Sequence, residues 1–205
     1  MDRELTMKKI PLLAICAMTL STSLVTVRAD DISYNYAQVG YSFVNDSDIT
    51  GGVSLSASYD VYENINLVGN LFASTSSDSA VAEDINAKVY SLGVGYHSGL
   101  TEKTDLLTEL SLLNSHSSIS IKGGGKTKIN NTGHIISIGT RTQLNEKMEL
   151  LLRADKRNSS DPSGTVFSIG AVYKLNNKAA LVGSLNTGAS DGSEVVTTSV
   201  RWNLD

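Results

Sequence analysis

An alternation of apolar and polar residues recurs in ten short stretches of this chain, and no other feature restricts its fold so tightly. Val53 to Val61 shows it most plainly. Val53, Leu55, Ala57, Tyr59 and Val61 fall on one face, and Ser54, Ser56, Ser58 and Asp60 on the other. Successive side chains of a β-strand point to opposite faces, so each stretch is one strand with one apolar side. A strand of a soluble sandwich has the same period, so repetition has to decide. The pattern returns in Ser33 to Val44, Ile65 to Thr75, Tyr90 to His97, Leu106 to Leu112 and Ile136 to Arg141. It returns again in Met148 to Asp155, Phe167 to Lys174, Leu181 to Asn186 and Val196 to Asn203.

The links between strands alternate in length. Tight turns rich in Asn, Gly and Lys fall at Tyr62–Asn64, Gly99–Lys103, Asn145–Lys147 and Asn176–Lys178. Longer polar links fall at Asn45–Thr50, Ser76–Asp84, Ser115–Asn130, Asn158–Thr165 and Gly188–Glu194. Inside a bilayer every backbone N–H and C=O must be paired, which only a helix or a closed barrel achieves. Short turns at one end, long loops at the other and alternating strands describe a closed antiparallel transmembrane β-barrel. Four turns and five loops require ten strands, with eight as the alternative closure. Tyrosines near strand ends, such as Tyr41, Tyr59, Tyr62, Tyr90, Tyr96 and Tyr173, with Trp202, suit the interfacial girdles of such a barrel. Tyr34 and Tyr36 are placed with them.

Ahead of the strands, Met7-Lys8-Lys9 is a basic start, Ile10 to Leu24 an apolar run, and Val27-Arg28-Ala29 a cleavage motif of small residues. Residues 1–29 are therefore read as a signal peptide and residues 30–205 as the barrel domain. The apolar run is shorter than the roughly 20 residues a spanning helix needs. Cys16, the single cysteine, lies within that run, so the mature chain has neither a disulfide nor a thiolate metal site, and no cofactor is expected. Cleavage removes Arg3, Lys8, Lys9 and Arg28 with Asp2 and Glu4, so basic residues fall from 17 to 13 and acidic from 21 to 19. The resulting charge of about −6 excludes nucleic acid as a partner, because that needs a dense basic footprint.

Chemistry concentrates on the inward face. Glu109, Arg141, Arg153, Asp155 and Arg157 share the lumen-facing parity of three consecutive strands, with Asp60 and Arg201 joining from others. An isolated ion is costly away from water, so these charges must pair. The expected pairs are Glu109 with Arg141 and Arg153, and Asp155 with Arg157. Such a network either fills the barrel as a closed core or forms the constriction of a narrow channel.

The longest outer link carries Lys122, Lys126 and Lys128, a surface loop able to meet lipopolysaccharide phosphates or a host polyanion. Its Gly123-Gly124-Gly125-Lys126-Thr127 run lacks the spacing and the strand–helix setting of a phosphate-binding loop. His116 falls in that link, His97 near a short turn, and His134 at the top of a strand with lipid-facing parity. No G-x-S-x-G and no His-x-x-x-His pair accompanies them, so a non-enzymatic protein is expected.

Ser33-Tyr34-Asn35-Tyr36 with Val39-Gly40-Tyr41 resembles the opening strand of small OmpA/OmpX-type outer-membrane barrels of Gram-negative bacteria. Leu92-Gly93-Val94-Gly95-Tyr96 is similar to their Gly-x-Gly-Tyr strand. The resemblance implies an outer-membrane location and contact with outer-membrane lipid and lipopolysaccharide. It also implies handling by periplasmic chaperones and the barrel-assembly machinery, with a host surface ligand as a further partner. Val200, Trp202 and Leu204 resemble the assembly signal, although the chain ends in Asp205 rather than an aromatic residue. The implied role is envelope integrity, adhesion or host interaction, with a narrow channel as the alternative.

Overall fold

A single antiparallel meander satisfies its inner strands but leaves two edges, and here the first and last strands pair to remove them. The computed structural model describes residues 32–44, 51–77, 82–121, 125–159, 163–188 and 194–204. These form ten strands: β1 (Tyr36–Val44), β2 (Gly51–Tyr62), β3 (Ile65–Ser77), β4 (Ala82–Thr101), β5 (Thr104–Ile121), β6 (Lys126–Asn145), β7 (Met148–Ser159), β8 (Gly164–Lys174), β9 (Ala179–Gly188) and β10 (Glu194–Asn203). Each strand pairs with its sequence neighbours, and β1 pairs with β10 from Tyr36↔Asn203 to Val44↔Val195. The barrel is closed, all-antiparallel and ten-stranded. The signal peptide and its cleavage site lie outside the described residues.

The alternation is realised as an inside and an outside. Leu92 and Leu112 are 68% and 73% exposed on the outer wall, whereas Ser111 on the inner wall is 1% exposed. Outward Val, Leu, Ile, Phe and Tyr residues on all ten strands make an apolar belt, the surface a bilayer covers. Apolar burial inside is slight: Val172, Ala180 and Val182 pack with Leu151 on one stretch of inner wall. Gly93 faces inward where an added Cβ would collide with the side chain of Ser111, so β4 and β5 leave no spare room there.

The short turns gather at one mouth, where Asn35 and Leu204 also meet, and this is the mouth expected to face the periplasm. Their chemistry is local. Asn145 Oδ1 accepts from the backbone N–H of Lys147 and Met148 at 2.9 and 3.0 Å, and Asn176 Oδ1 does the same for Lys178 and Ala179. An Asn side chain that substitutes for a backbone acceptor fixes the turn and hence the hairpin register.

The outer end departs from expectation. Most of the link placed at Ser115–Asn130 is ladder: β5 and β6 stay paired from Asn114↔Thr132 to Ser120↔Lys126. Likewise β3 and β4 pair as far as Ser77↔Asp84. Beyond the bilayer both faces of a strand meet water, so the hydropathy alternation vanishes while backbone pairing continues. Ile119, Thr127 and Ile129 keep the β preference of the segment. β4, β5 and β6 therefore project past the other strands as a three-stranded blade.

The segment before β1 is the second departure. Ser33, Tyr34 and Asn35 precede β1 rather than forming its first turn of ladder, and Tyr34 turns into the barrel, where it is buried. Tyr36 also points inward, beneath the guanidinium of Arg201. Neither belongs to an interfacial girdle.

Candidate functional site

The interior contains two charged layers. The first lies midway along β5, β6 and β7, where the register sets Glu109 opposite Ser137 and Ser137 opposite Asp155. Arg153, one alternation from Asp155, reaches across this row. Its Nη1 lies 2.8 Å from Glu109 Oε2, its Nε 2.5 Å from Asp155 Oδ1, and its Nη2 donates to Ser137 Oγ at 2.8 Å. Ser111 Oγ donates to the remaining Glu109 oxygen at 2.5 Å. One guanidinium thus bridges two carboxylates that would otherwise repel each other.

The second layer closes the periplasmic mouth. Arg141 pairs with Glu149 through Nη2 and Nε at 2.6 and 2.7 Å, and Lys174 approaches the other Glu149 oxygen at 3.2 Å. Arg141 Nη1 also donates to the carbonyl of Ser33 at 2.7 Å, which ties the segment before β1 into the layer. Tyr34 lies at the centre. Its ring stacks on His97 with centroids 3.8 Å apart, and Arg141 sits 5.2 Å from the ring centroid. Its hydroxyl donates to Asp105 Oδ2 at 2.8 Å. Burial pushes that hydroxyl well above the ordinary tyrosine range, so it stays protonated as the donor. Asp60 Oδ1 lies 3.3 Å from His97 Nε2, Asn35 Oδ1 accepts from the Asp60 N–H, and Ile32 and Tyr34 pack on Leu107.

Between the layers is a cavity of about 100 Å³, bordered by Tyr36, Glu109, Arg141, Arg153 and Arg201. Arg201 donates through Nε to Gln38 Oε1 at 3.0 Å and lies 4.0 Å above the Tyr36 ring. Among the described residues it meets no carboxylate, so the ring face and the amide hold its charge.

The predicted network is thus regrouped. Glu109 and Arg153 meet, but Arg141 pairs with Glu149 instead of Glu109. Asp155 pairs with Arg153, while Arg157 is exposed at the outer end of β7. Asp60 and Arg201 are inside but belong to the mouth and to the Tyr36 side. Tyr34, His97, Asp105, Glu149 and Lys174 were not named as site residues. Asp105 and Glu149 each stand on inward parity at the first inward position after a short turn, and that signal was available. Lys126 and Lys128 lie on β6, exposed, rather than in a loop, and Lys122 lies outside the described residues. His116 is on β5, not in a loop. Val200 and Trp202 are on the outer face of β10, and Leu204 follows that strand, its N–H donating to the Asn35 carbonyl.

A closed barrel with an apolar outer belt, a paired-charge interior and the ends of its described residues, Ile32 and Leu204, on the short-turn side is a membrane-spanning protein of outer-membrane type. The family model described as outer membrane protein beta-barrel domain matches residues 10–174, and the chain belongs to that family. It is a ten-stranded β-barrel of the outer membrane. No curated protein sequence matches it. Among solved structures, the translocator domain of the autotransporter NalP from Neisseria meningitidis matches with a TM-score of 0.54 at 11% identity, over 94% of this chain and 93% of that one. That likeness is one of fold. The attachment invasion locus protein Ail of Yersinia pestis, in complex with the heparin analogue sucrose octasulfate, matches at a TM-score of 0.41 and 15% identity, over 82% and 95%. The KdgM porin matches at 0.47 and 6% identity, over 82% and 99%.

Proposed function

We propose that the protein is a non-enzymatic surface barrel whose interior is a closed structural core and whose external blade makes the working contacts, in adhesion, host interaction or envelope integrity. The observation that carries this reading is the periplasmic mouth. There Ile32 and Tyr34 are buried inside the barrel, and Arg141 and Asp105 hold the segment by hydrogen bonds. A pathway for solutes would have to displace this segment and then part Arg153 from two carboxylates. Both steps expose paired charges in a medium where pairing matters most. At the opposite end β4, β5 and β6 carry polar residues past the other strands, the part a partner outside the cell would meet first.

The cavity beside Glu109, Arg153 and Arg201 favours the second reading, a narrow channel. Single-channel recording of the refolded barrel in a planar bilayer separates the two. The closed-core reading expects silence from the wild type and from a blade truncation that removes residues 117–129. Attachment of cells displaying the truncated barrel should fall. Regular conductance steps that shift with Glu109→Ala would overturn this reading in favour of the channel.

A further inference from the structure

Three guanidiniums and one carboxylate border the cavity between the two charged layers: Arg141, Arg153, Arg201 and Glu109. Most of them are fully engaged. Every side-chain nitrogen of Arg153 has an acceptor in Glu109, Asp155 or Ser137. Every one of Arg141 has an acceptor in Glu149 or the Ser33 carbonyl. Glu109 has one oxygen on Arg153 and the other on the Ser111 hydroxyl. Arg201 is different. It is 4% exposed, and its Nη1 is buried without a hydrogen-bond partner among the described residues.

The surroundings fix the Arg201 guanidinium without neutralising it. Gln38 Nε2 donates to Ser199 Oγ at 2.8 Å, which turns the amide oxygen toward Arg201 Nε at 3.0 Å. The Tyr36 ring centroid lies 4.0 Å from the guanidinium carbon. One edge and one face are thus held, and Nη1 is left for the cavity. Two hydroxyls border the same space. Tyr36 stands opposite Ser58 in the β1–β2 ladder, and both residues line the cavity. Ser58 Oγ accepts from Asn66 Nδ2 at 2.7 Å, which leaves the Ser58 O–H able to donate. A buried cation without a counter-ion is costly, and a charge-assisted bond to an anion removes that cost.

We propose that this cavity binds one small monovalent anion of the halide type, with chloride as the physiological ion, paired with Arg201 and bonded by the hydroxyls of Ser58 and Tyr36. Size and charge both select it. A cavity needs about 10–15 Å³ to admit one water, so one of about 100 Å³ takes a chloride-sized ion with part of its hydration shell. A doubly charged sulfate or phosphate would carry one charge that Arg201 does not match, beside the carboxylate of Glu109. A cation would face three guanidiniums, and both oxygens of the nearest carboxylate are already taken. Water alone would bond to Nη1 but leave the charge unpaired in a low-dielectric interior, where pairing counts most. The site is the same whether or not the lumen conducts.

The test uses the full barrel refolded in neutral detergent and unfolded reversibly by urea, in sodium chloride or in sodium gluconate of equal ionic strength. A ligand that binds only the folded state raises the folded-to-unfolded ratio about tenfold for each tenfold rise in its concentration above Kd. Wild-type protein should show that dependence in chloride and not in gluconate. R201Q should lose it, whereas K156Q, exposed on the outer wall, should keep it. S58A should raise the apparent Kd for chloride about tenfold, the effect of one lost hydrogen bond to a charged group. Heat-dependent gel mobility verifies that each variant is folded, and S58A and Y36F serve if R201Q is not. Crystals grown in bromide should show an anomalous peak within hydrogen-bond distance of Arg201 Nη1. Equal stability in chloride and gluconate, or an unchanged chloride dependence in folded R201Q or in both S58A and Y36F, would overturn the proposal. A cavity that holds water alone in the bromide crystals would assign Arg201 to hydration and equally overturn it.

Discussion

Replacing Arg141 by alanine tests directly whether the mouth layer is a structural core. Glu149 is 1% exposed and takes two charge-assisted hydrogen bonds from Arg141, leaving only Lys174 on its other oxygen at 3.2 Å. Removing one partner of a buried pair strands the other and costs about 3–5 kcal/mol. Arg141→Ala also releases the Ser33 carbonyl and uncovers the Tyr34 ring, so the upper part of that range applies. A loss of about 4 kcal/mol lowers the folded-to-unfolded ratio by nearly three orders of magnitude. Removing both charges, as in Arg141→Met with Glu149→Gln, should return stability to within about 2 kcal/mol of wild type, because no carboxylate is then stranded. The assay is reversible urea unfolding in phospholipid vesicles, followed by tryptophan fluorescence of Trp202. The reasoning fails if the single variant costs less than about 1 kcal/mol, or if the double variant is as unstable as the single. Either result would mean that water reaches Glu149 and that the mouth is open.

Other perturbations separate the parts of the barrel. Tyr34→Phe removes the donor to Asp105 and should cost about 1–3 kcal/mol in the same assay, the penalty for a buried carboxylate that loses its bond. Glu109→Gln should cost less than Arg141→Ala, since Arg153 keeps Asp155; comparable losses would contradict the bridging geometry. Leu110→Arg, on the lipid-facing wall, should cost about 2–4 kcal/mol, whereas Thr127→Arg on the blade should change stability little. Deleting Val200 to Asp205 removes the ladder that joins β10 to Tyr36–Val39 of β1 and to Ala179–Leu181 of β9. The truncated chain should be missing from the outer-membrane fraction, and normal levels there would count against closure through β10.

The fold was legible because a bilayer imposes one rule on every strand. A side chain at a given parity faces lipid or does not, and Val53–Val61 or Tyr90–His97 read the same in sequence as in space. Where that rule lapses, legibility lapses too. The Ser, Thr and Asn positions of the β5–β6 blade look like loop because both faces are wet, although hydrogen bonding pairs them as far as Ser120↔Lys126. The interior was half legible for a related reason. Parity tells which charges face inward, and it placed Glu109, Arg141, Arg153 and Asp155 there. It does not tell which of them meet, because partners are set by depth, and depth depends on where each hairpin turns. Arg141 stands opposite Leu151 and Glu149 opposite Gln143, so the β6–β7 hairpin makes Arg141 and Glu149 diagonal neighbours without reference to β5. Glu109, three inward positions into β5 counting Asp105, is left for Arg153. Counting inward positions from each turn would have matched Glu109 with Arg153, each the third, and would have left Arg141, the second, diagonal to Glu149, the first. It would not have given Tyr34, which lies inside the mouth because the segment ahead of β1 turns into the barrel, and no periodicity records that.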